Sequence, residues 1–188
     1  MSRIIFPILA LSLAIVACCS PCTIVPGVTS PTSTESIPTE TVTFMPTETV
    51  QPATMTLTVY FTDISRYQIG TEPYEEAVTR IVPVPASLPE AVLTQLFLGP
   101  TDSEKAQGLE LVLSGTTGFS QLTIENGIAR VYLIGECSSK GSTYTIANLI
   151  YANLAQFPEI QWIKIYDQNG ETESPDGQMG SIPYCLEP

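Results

Sequence analysis

An α+β domain is the fold class that this 188-residue sequence predicts. Three observations carry it. Short runs alternate strictly between apolar and polar residues, two longer stretches carry apolar residues at helical spacing, and an Asn-Gly pair joins two of the alternating runs. Runs of period two separated by runs of period 3.6 assemble as β-(β)-α-β-β-α-β. A mainly antiparallel sheet with two helices on one face buries each apolar stripe once.

The elements begin at Met55. TLTVYFTD (56–63) places Leu57, Val59 and Phe61 on one face and Thr58, Tyr60 and Thr62 on the other, the pattern of a half-buried strand. AVTRIVPVP (77–85) is a second strand, which Pro83 and Pro85 confine to an edge or end. SLPEAVLTQLFLGP (87–100) is a helix: Ser87 and Glu90 make a capping box, Pro89 sits in the first turn, and Gly99-Pro100 stops it. Its stripe is Val92, Leu93, Leu96 and Phe97.

In SQLTIENGIARVYL (120–133) the Asn126-Gly127 pair predicts a two-residue hairpin turn. Ile124 then faces Ala129, Leu122 faces Val131 and Ser120 faces Leu133. STYTIANLIYANLAQFP (142–158) is a second helix, with Ile146, Leu149, Ile150, Leu154 and Phe157 on one face. IQWIKIYDQNG (160–170) is the last strand, with Ile163 and Ile165 inward and Trp162, Lys164 and Tyr166 outward. The Asn169-Gly170 turn leads into a polar tail that reaches Cys185.

Upstream the composition differs. Residues 1–17 carry Arg3 and then an apolar stretch of about 14 residues, the profile of an export signal and short for a bilayer span. The stretch ends Ile15-Val16-Ala17-Cys18, which resembles the bacterial lipobox. That resemblance implies cleavage before Cys18, a diacylglycerol thioether and further acylation there, and an extracytoplasmic protein anchored to the cell membrane by lipid such as palmitate. An uncleaved N-terminal anchor is the weaker reading. Residues 18–54 are rich in Pro, Thr and Ser, repeat PTETV, and form a tether of low apolar content. About 36 such residues in an extended conformation reach on the order of 100 Å. The domain occupies 55–188.

Five cysteines is an odd number for an exported chain. With Cys18 lipidated, Cys137 and Cys185 are the natural pair within the domain, closing a loop of about 48 residues, with roughly 3–4 kcal/mol of stabilisation. Three fates stay open for Cys19 and Cys22: a local pair, a second acyl chain, or free thiols.

In their order and spacing, TLTVYFTD, TRIVPVP, EAVLTQLFLGP, LTIENGIARVYLIGE and IANLIYANLAQFPEIQWIKIYDQNG resemble the GerMN domain family of sporulation, spore-germination and other envelope lipoproteins. The resemblance covers about residues 55–171. It implies a domain similar to the ring-building motif of secretion and sporulation assemblies. It also implies a role in assembly or ligand binding, with no catalytic residues to carry over. Cys137 and Cys185 are additions to the family pattern.

Chemistry finds little support. The chain has no histidine, which excludes Ser-His-Asp and Cys-His sites, and it has neither a phosphate-binding loop nor a dinucleotide fingerprint. Zinc lacks a ligand set. In DQNGETESPDG (167–177) the glycine stands at the fourth position rather than the sixth that a calcium loop needs. Neighbouring carboxylates (Glu75 and Glu76; Glu171, Glu173 and Asp176) sit in polar, loop-like sequence. No enzyme, cofactor or metal is expected. A net charge of −12 disfavours nucleic acid.

The outward face of the sheet collects Tyr60, Arg130, Tyr132, Trp162, Lys164 and Tyr166, residue types enriched at interfaces. Two readings of it stand side by side. In one, these side chains cover the sheet for one another, with loops or the disulfide-tied tail folded over them. In the other they bind: an envelope protein partner in a non-catalytic assembly role, or alternatively a cell-wall glycan or small ligand.

Overall fold

A computed structural model describes residues 52–188. The signal segment, Cys18, Cys19, Cys22 and the tether up to residue 51 lie outside the described residues. Strand β1 (Thr54–Asp63) runs directly into a short helix, α1 (Ile64–Ile69), and β2 (Glu75–Pro83) follows. Helices α2 (Leu88–Leu98) and α3 (Asp102–Lys105) precede β3 (Leu109–Glu110), β4 (Gly118–Glu125) and β5 (Ile128–Ile134). Helix α4 (Ile146–Leu154), β6 (Trp162–Tyr166) and a 3-10 turn (Tyr184–Leu186) complete the order.

The α+β class holds, and the strands divide into two three-stranded sheets, β2-β1-β3 and β4-β5-β6. Most pairings are antiparallel. β5 and β6 pair in parallel, from Ile128↔Trp162 to Tyr132↔Tyr166, because α4 carries the chain back between them. The single sheet expected from the sequence is divided for a local reason. β3 meets β1 only at Thr62 and Asp63, and α4 side chains take the rest of that edge. Asn153 accepts from the Tyr60 N–H at 2.9 Å and donates to the Tyr60 carbonyl at 2.9 Å, while Gln156 donates to the Thr58 carbonyl at 3.2 Å. Backbone groups that another strand would have paired are satisfied by amides.

β1 and β2 pair from Thr54↔Pro83 to Thr62↔Glu75, which leaves β2 as the edge strand that its prolines foretold. Val59 and Phe61 of β1 are fully buried with Leu93 and Leu96 of α2, Leu149 and Ile150 of α4, Val131 of β5 and Ile165 of β6, in one core shared by both sheets. α2 and α4 pack on each other and on β1, and α4 also meets β6.

The hairpin turns at Asn126 (φ 53°) and Gly127 (φ 76°), the two left-handed residues of a primed turn. Ile124↔Ala129 and Leu122↔Val131 pair as the spacing predicts. Ser120↔Leu133 does not form: the register shifts between Phe119 and Gln121, so Phe119 opposes Leu133. The shift places the Phe119 ring 5.8 Å from that of Phe97 on α2.

Ser87 caps α2 by accepting from the Glu90 N–H at 3.4 Å. Reciprocal capping boxes form instead at Thr101/Glu104 and Thr145/Asn148. The second of these starts α4 at Ile146, later than its sequence pattern suggested.

Candidate binding face

In the β4-β5-β6 sheet the register sets three rows on the outward side. Trp162 lies beside Ile128, which opposes Glu125; Lys164 lies beside Arg130, which opposes Thr123; Tyr166 lies beside Tyr132, which opposes Gln121. Alternation along β5 and β6 therefore brings together five of the six residues singled out in the sequence. Tyr132 and Tyr166 stack with ring centroids 4.7 Å apart and planes 15° apart. Tyr60 does not join them. It belongs to β1 in the other sheet, and the Asn153 amide on that strand's edge explains the separation.

The tail closes part of this face. Ser181 pairs beside β6: Ile165 N–H donates to the Ser181 carbonyl at 2.8 Å, and Ser181 N–H donates to the Ile163 carbonyl at 3.0 Å. Ser181 Oγ also hydrogen-bonds Thr172 Oγ1 at 2.7 Å and accepts from the Ser174 N–H at 2.8 Å. Tyr151 of α4 donates its hydroxyl to the Ile163 carbonyl at 3.0 Å, and burial pushes that phenol's pKa upward.

Under this cover the Lys164 side chain is fully buried. Its Nζ donates to the Ser174 carbonyl and, at 2.9 Å, to the Asp176 carbonyl. Tyr166 is buried as well. The reading in which the disulfide-tied tail folds over the sheet thus holds at Lys164, because the tail supplies carbonyls to a cation that alternation alone would place in water. At Tyr166 the stacked Tyr132 ring fits the reading in which the side chains cover the sheet for one another.

Cys137 and Cys185 are bonded, with Cα atoms 5.6 Å apart. The pair fixes the end of the tail beside Leu186, which is buried in the core.

Trp162, Arg130 and Tyr132 remain accessible. Trp162 is 38% exposed, and Arg130 and Tyr132 are half-buried. Arg130 Nη1 is buried with no hydrogen-bond partner, and among the described residues Arg130 forms no ion pair. The other described arginines are engaged: Arg66 with Asp63 and Glu76, and Arg80 with Glu104.

A second aromatic group went unread in the sequence. Tyr67, Tyr74 and Tyr144 meet with centroids 5.3 to 5.5 Å apart, brought together from α1, the residue just before β2 and the loop before α4. Tyr144 donates to Glu75 Oε1 at 2.8 Å and accepts from Thr62 Oγ1 at 3.3 Å, and burial raises its pKa strongly. Nothing in the local spacing of these tyrosines signals the cluster. Among the described residues no group of three or more His, Cys, Asp or Glu side chains gathers as a metal site would require.

The family profile described as "Germane: Sporulation and spore germination" matches residues 58–173, more than half of the chain. The chain belongs to the Germane family. Its Germane segment takes in both sheets from Thr58 of β1 onward and ends at Glu173, ahead of the Ser181 pairing and Cys185. Two solved structures are similar. One is the tandem GerMN domains of the sporulation protein GerM from Bacillus subtilis, at 20% identity and TM-score 0.40, covering 67% of this chain and 46% of that one. The other is the first GerMN domain of the same protein, at 20% identity and TM-score 0.38, covering 66% of this chain and 92% of that one. The chain thus spans under half of the tandem-domain structure. Among curated proteins none matches it.

Proposed function

We propose that this Germane domain is a non-catalytic protein-binding module of the bacterial envelope, with Trp162, Arg130 and Tyr132 as its contact face. One observation carries the reading: an arginine with an unpartnered buried nitrogen and no carboxylate, one row from an accessible tryptophan on the same sheet face, in a chain with 19 acidic residues. Trp, Tyr and Arg dominate the energetics of protein contacts. The half-buried Arg130, which no carboxylate among the described residues pairs, can offer the accessible side of its guanidinium to a partner carboxylate or carbonyl. A glycan platform is less well supported, since Tyr166 is buried and its ring already stacks on Tyr132.

The domain is held at the outer surface of the cell membrane by lipid on Cys18, and residues 18–54 set its reach. The lipobox-like Ile15-Val16-Ala17-Cys18 supports that placement. Labelling cells with a palmitate analogue tests it: the label should enter the native chain and be lost in Cys18→Ser.

The contact face is tested by in-cell photocrosslinking from a photoreactive residue at Trp162 or Tyr132, with one at exposed Gln107 as control. A recurrent protein adduct from both face positions and not from Gln107 supports the assembly role. Wall-glycan adducts, or none, overturn it.

A further inference from the structure

A pocket of about 330 Å³ lies between the loop 112–116 and the loop 137–144, away from the sheet face described above. That size suits a small ligand. Its walls come from Tyr67, Ser114, Ser138, Ser139 and Lys140, with the buried Tyr144 behind.

The two loops are tied to each other and to the tail. Ser138 N–H donates to the Ser114 carbonyl at 2.8 Å, Ser139 N–H donates to the Cys185 carbonyl at 2.7 Å, and Cys137 is disulfide-bonded. Ser114 and Lys140 both adopt left-handed backbone, at φ 49° and 51°, each followed by a left-handed glycine. Among the described residues the only other non-glycine with positive φ is Asn126 in the hairpin turn. The lining is therefore built and held.

Its chemistry is one-sided. Ser114 Oγ accepts from the Ile146 N–H at 3.1 Å, Ser138 Oγ from the Lys140 N–H at 3.3 Å, and Ser139 Oγ from the Gly141 N–H at 3.1 Å. Each hydroxyl is thus used as an acceptor, and among the described residues each has no acceptor for its own O–H. Lys140 is exposed and forms no ion pair among them. Three hydroxyl donors and an ammonium call for a ligand rich in acceptor oxygens, at least one of them anionic. The Tyr67 ring is 39% exposed and is held by contact with Tyr74 and Tyr144, so it offers a fixed flat wall. A net charge of −12 opposes polyanions, which limits the ligand to the one negative group that the single Lys140 ammonium can pair.

We propose that this pocket binds a sugar bearing one carboxylate. The Lys140 ammonium pairs with the carboxylate, the Ser114, Ser138 and Ser139 hydroxyls donate to ring and hydroxyl oxygens, and the Tyr67 ring packs on the apolar face of the sugar.

The test is titration of the isotope-labelled full-length chain in detergent micelles with D-glucuronate, followed by amide chemical shifts. D-glucose serves as the neutral probe. Saturable shifts at Ser138, Ser139 and Lys140 are expected, with glucose weaker by about tenfold or more. Lys140→Gly, which keeps the left-handed turn while removing the amine, should weaken glucuronate by about tenfold or more, and Lys140→Arg should retain it. Absence of saturable shifts, equal response to glucose, or full binding by a folded Lys140→Gly chain each overturns the proposal.

Discussion

Asn153 lies fully buried in α4, where its amide does the work of a neighbouring strand. Nδ2 donates to the Tyr60 and Leu149 carbonyls at 2.9 and 2.8 Å, and Oδ1 accepts the Tyr60 N–H. Asn153→Ala leaves both backbone groups of Tyr60 facing a cavity too small to solvate them well. A loss of about 3 kcal/mol is expected by urea denaturation. Gln156→Ala, which removes a more exposed bond to Thr58, should cost less than about 1 kcal/mol in the same assay. Asp63 shows a different single-residue effect. Its carboxylate accepts from Arg66 Nε at 2.9 Å and caps α1 through the Ser65 and Arg66 amides. Those contacts, the Arg66 side chain first, hold its pKa below the ordinary carboxylate value. A group with a lowered folded pKa adds stability above its unfolded pKa, and that stability is lost as pH falls through the folded value. Asp63→Asn should therefore lower the urea midpoint near neutrality, with the gap to the native chain closing as the pH falls below the ordinary carboxylate range and the native Asp63 is protonated.

Turns give the contrast between two glycines that the sequence makes look alike. Gly127 sits at φ 76° in the hairpin, and a Cβ there would meet the Gln161 side chain at 3.3 Å, a flexible neighbour able to move. Gly127→Ala should cost about 1 kcal/mol, mainly from the left-handed backbone. Gly115 sits at φ 82°, and a Cβ there would lie 2.2 Å from the Glu136 backbone oxygen. Nothing flexible stands in the way, so the 112–116 loop must shift, and Gly115→Ala should cost more than about 3 kcal/mol. Thermal unfolding of both variants should rank them in that order. The hairpin itself was legible in the sequence because Asn126-Gly127 and the alternating runs around it are local signals. The stop of α2 at Gly99-Pro100 and the confinement of β2 to an edge were legible on the same grounds. The register shift beside Ser120 was not, since it answers to Phe97 on another element. The site was half legible. Period-two alternation grouped Arg130, Tyr132, Trp162, Lys164 and Tyr166, but placing Tyr60 with them assumed one continuous sheet, which an α4 amide interrupts.

Lys164 connects the folded unit as a whole, because its burial depends on chain that follows it by ten residues and more. Its ammonium is held by the Ser174 and Asp176 carbonyls, Ser181 pairs alongside β6, and the disulfide to Cys137 ties down the end of that segment. The Cys137–Cys185 bond closes a loop with a sequence separation of 48. In the chain-entropy account the double variant Cys137→Ser/Cys185→Ser should lose roughly 3–4 kcal/mol. Global stability alone would not show where the effect falls, so amine acetylation gives the sharper reading. Lys105 and Lys140 are exposed and should react quickly in both chains, while Lys164 in the native chain should stay protected. In the double variant, at a temperature where it is still folded, Lys164 should become reactive as the tail opens, with Lys105 and Lys140 unchanged. Protection equal to that of the native chain would mean that the Ser181 pairing and the buried Leu186 hold the tail unaided. The disulfide would then act through the unfolded chain, and the closed half of the sheet face would belong to the fold whether or not the cysteines are joined.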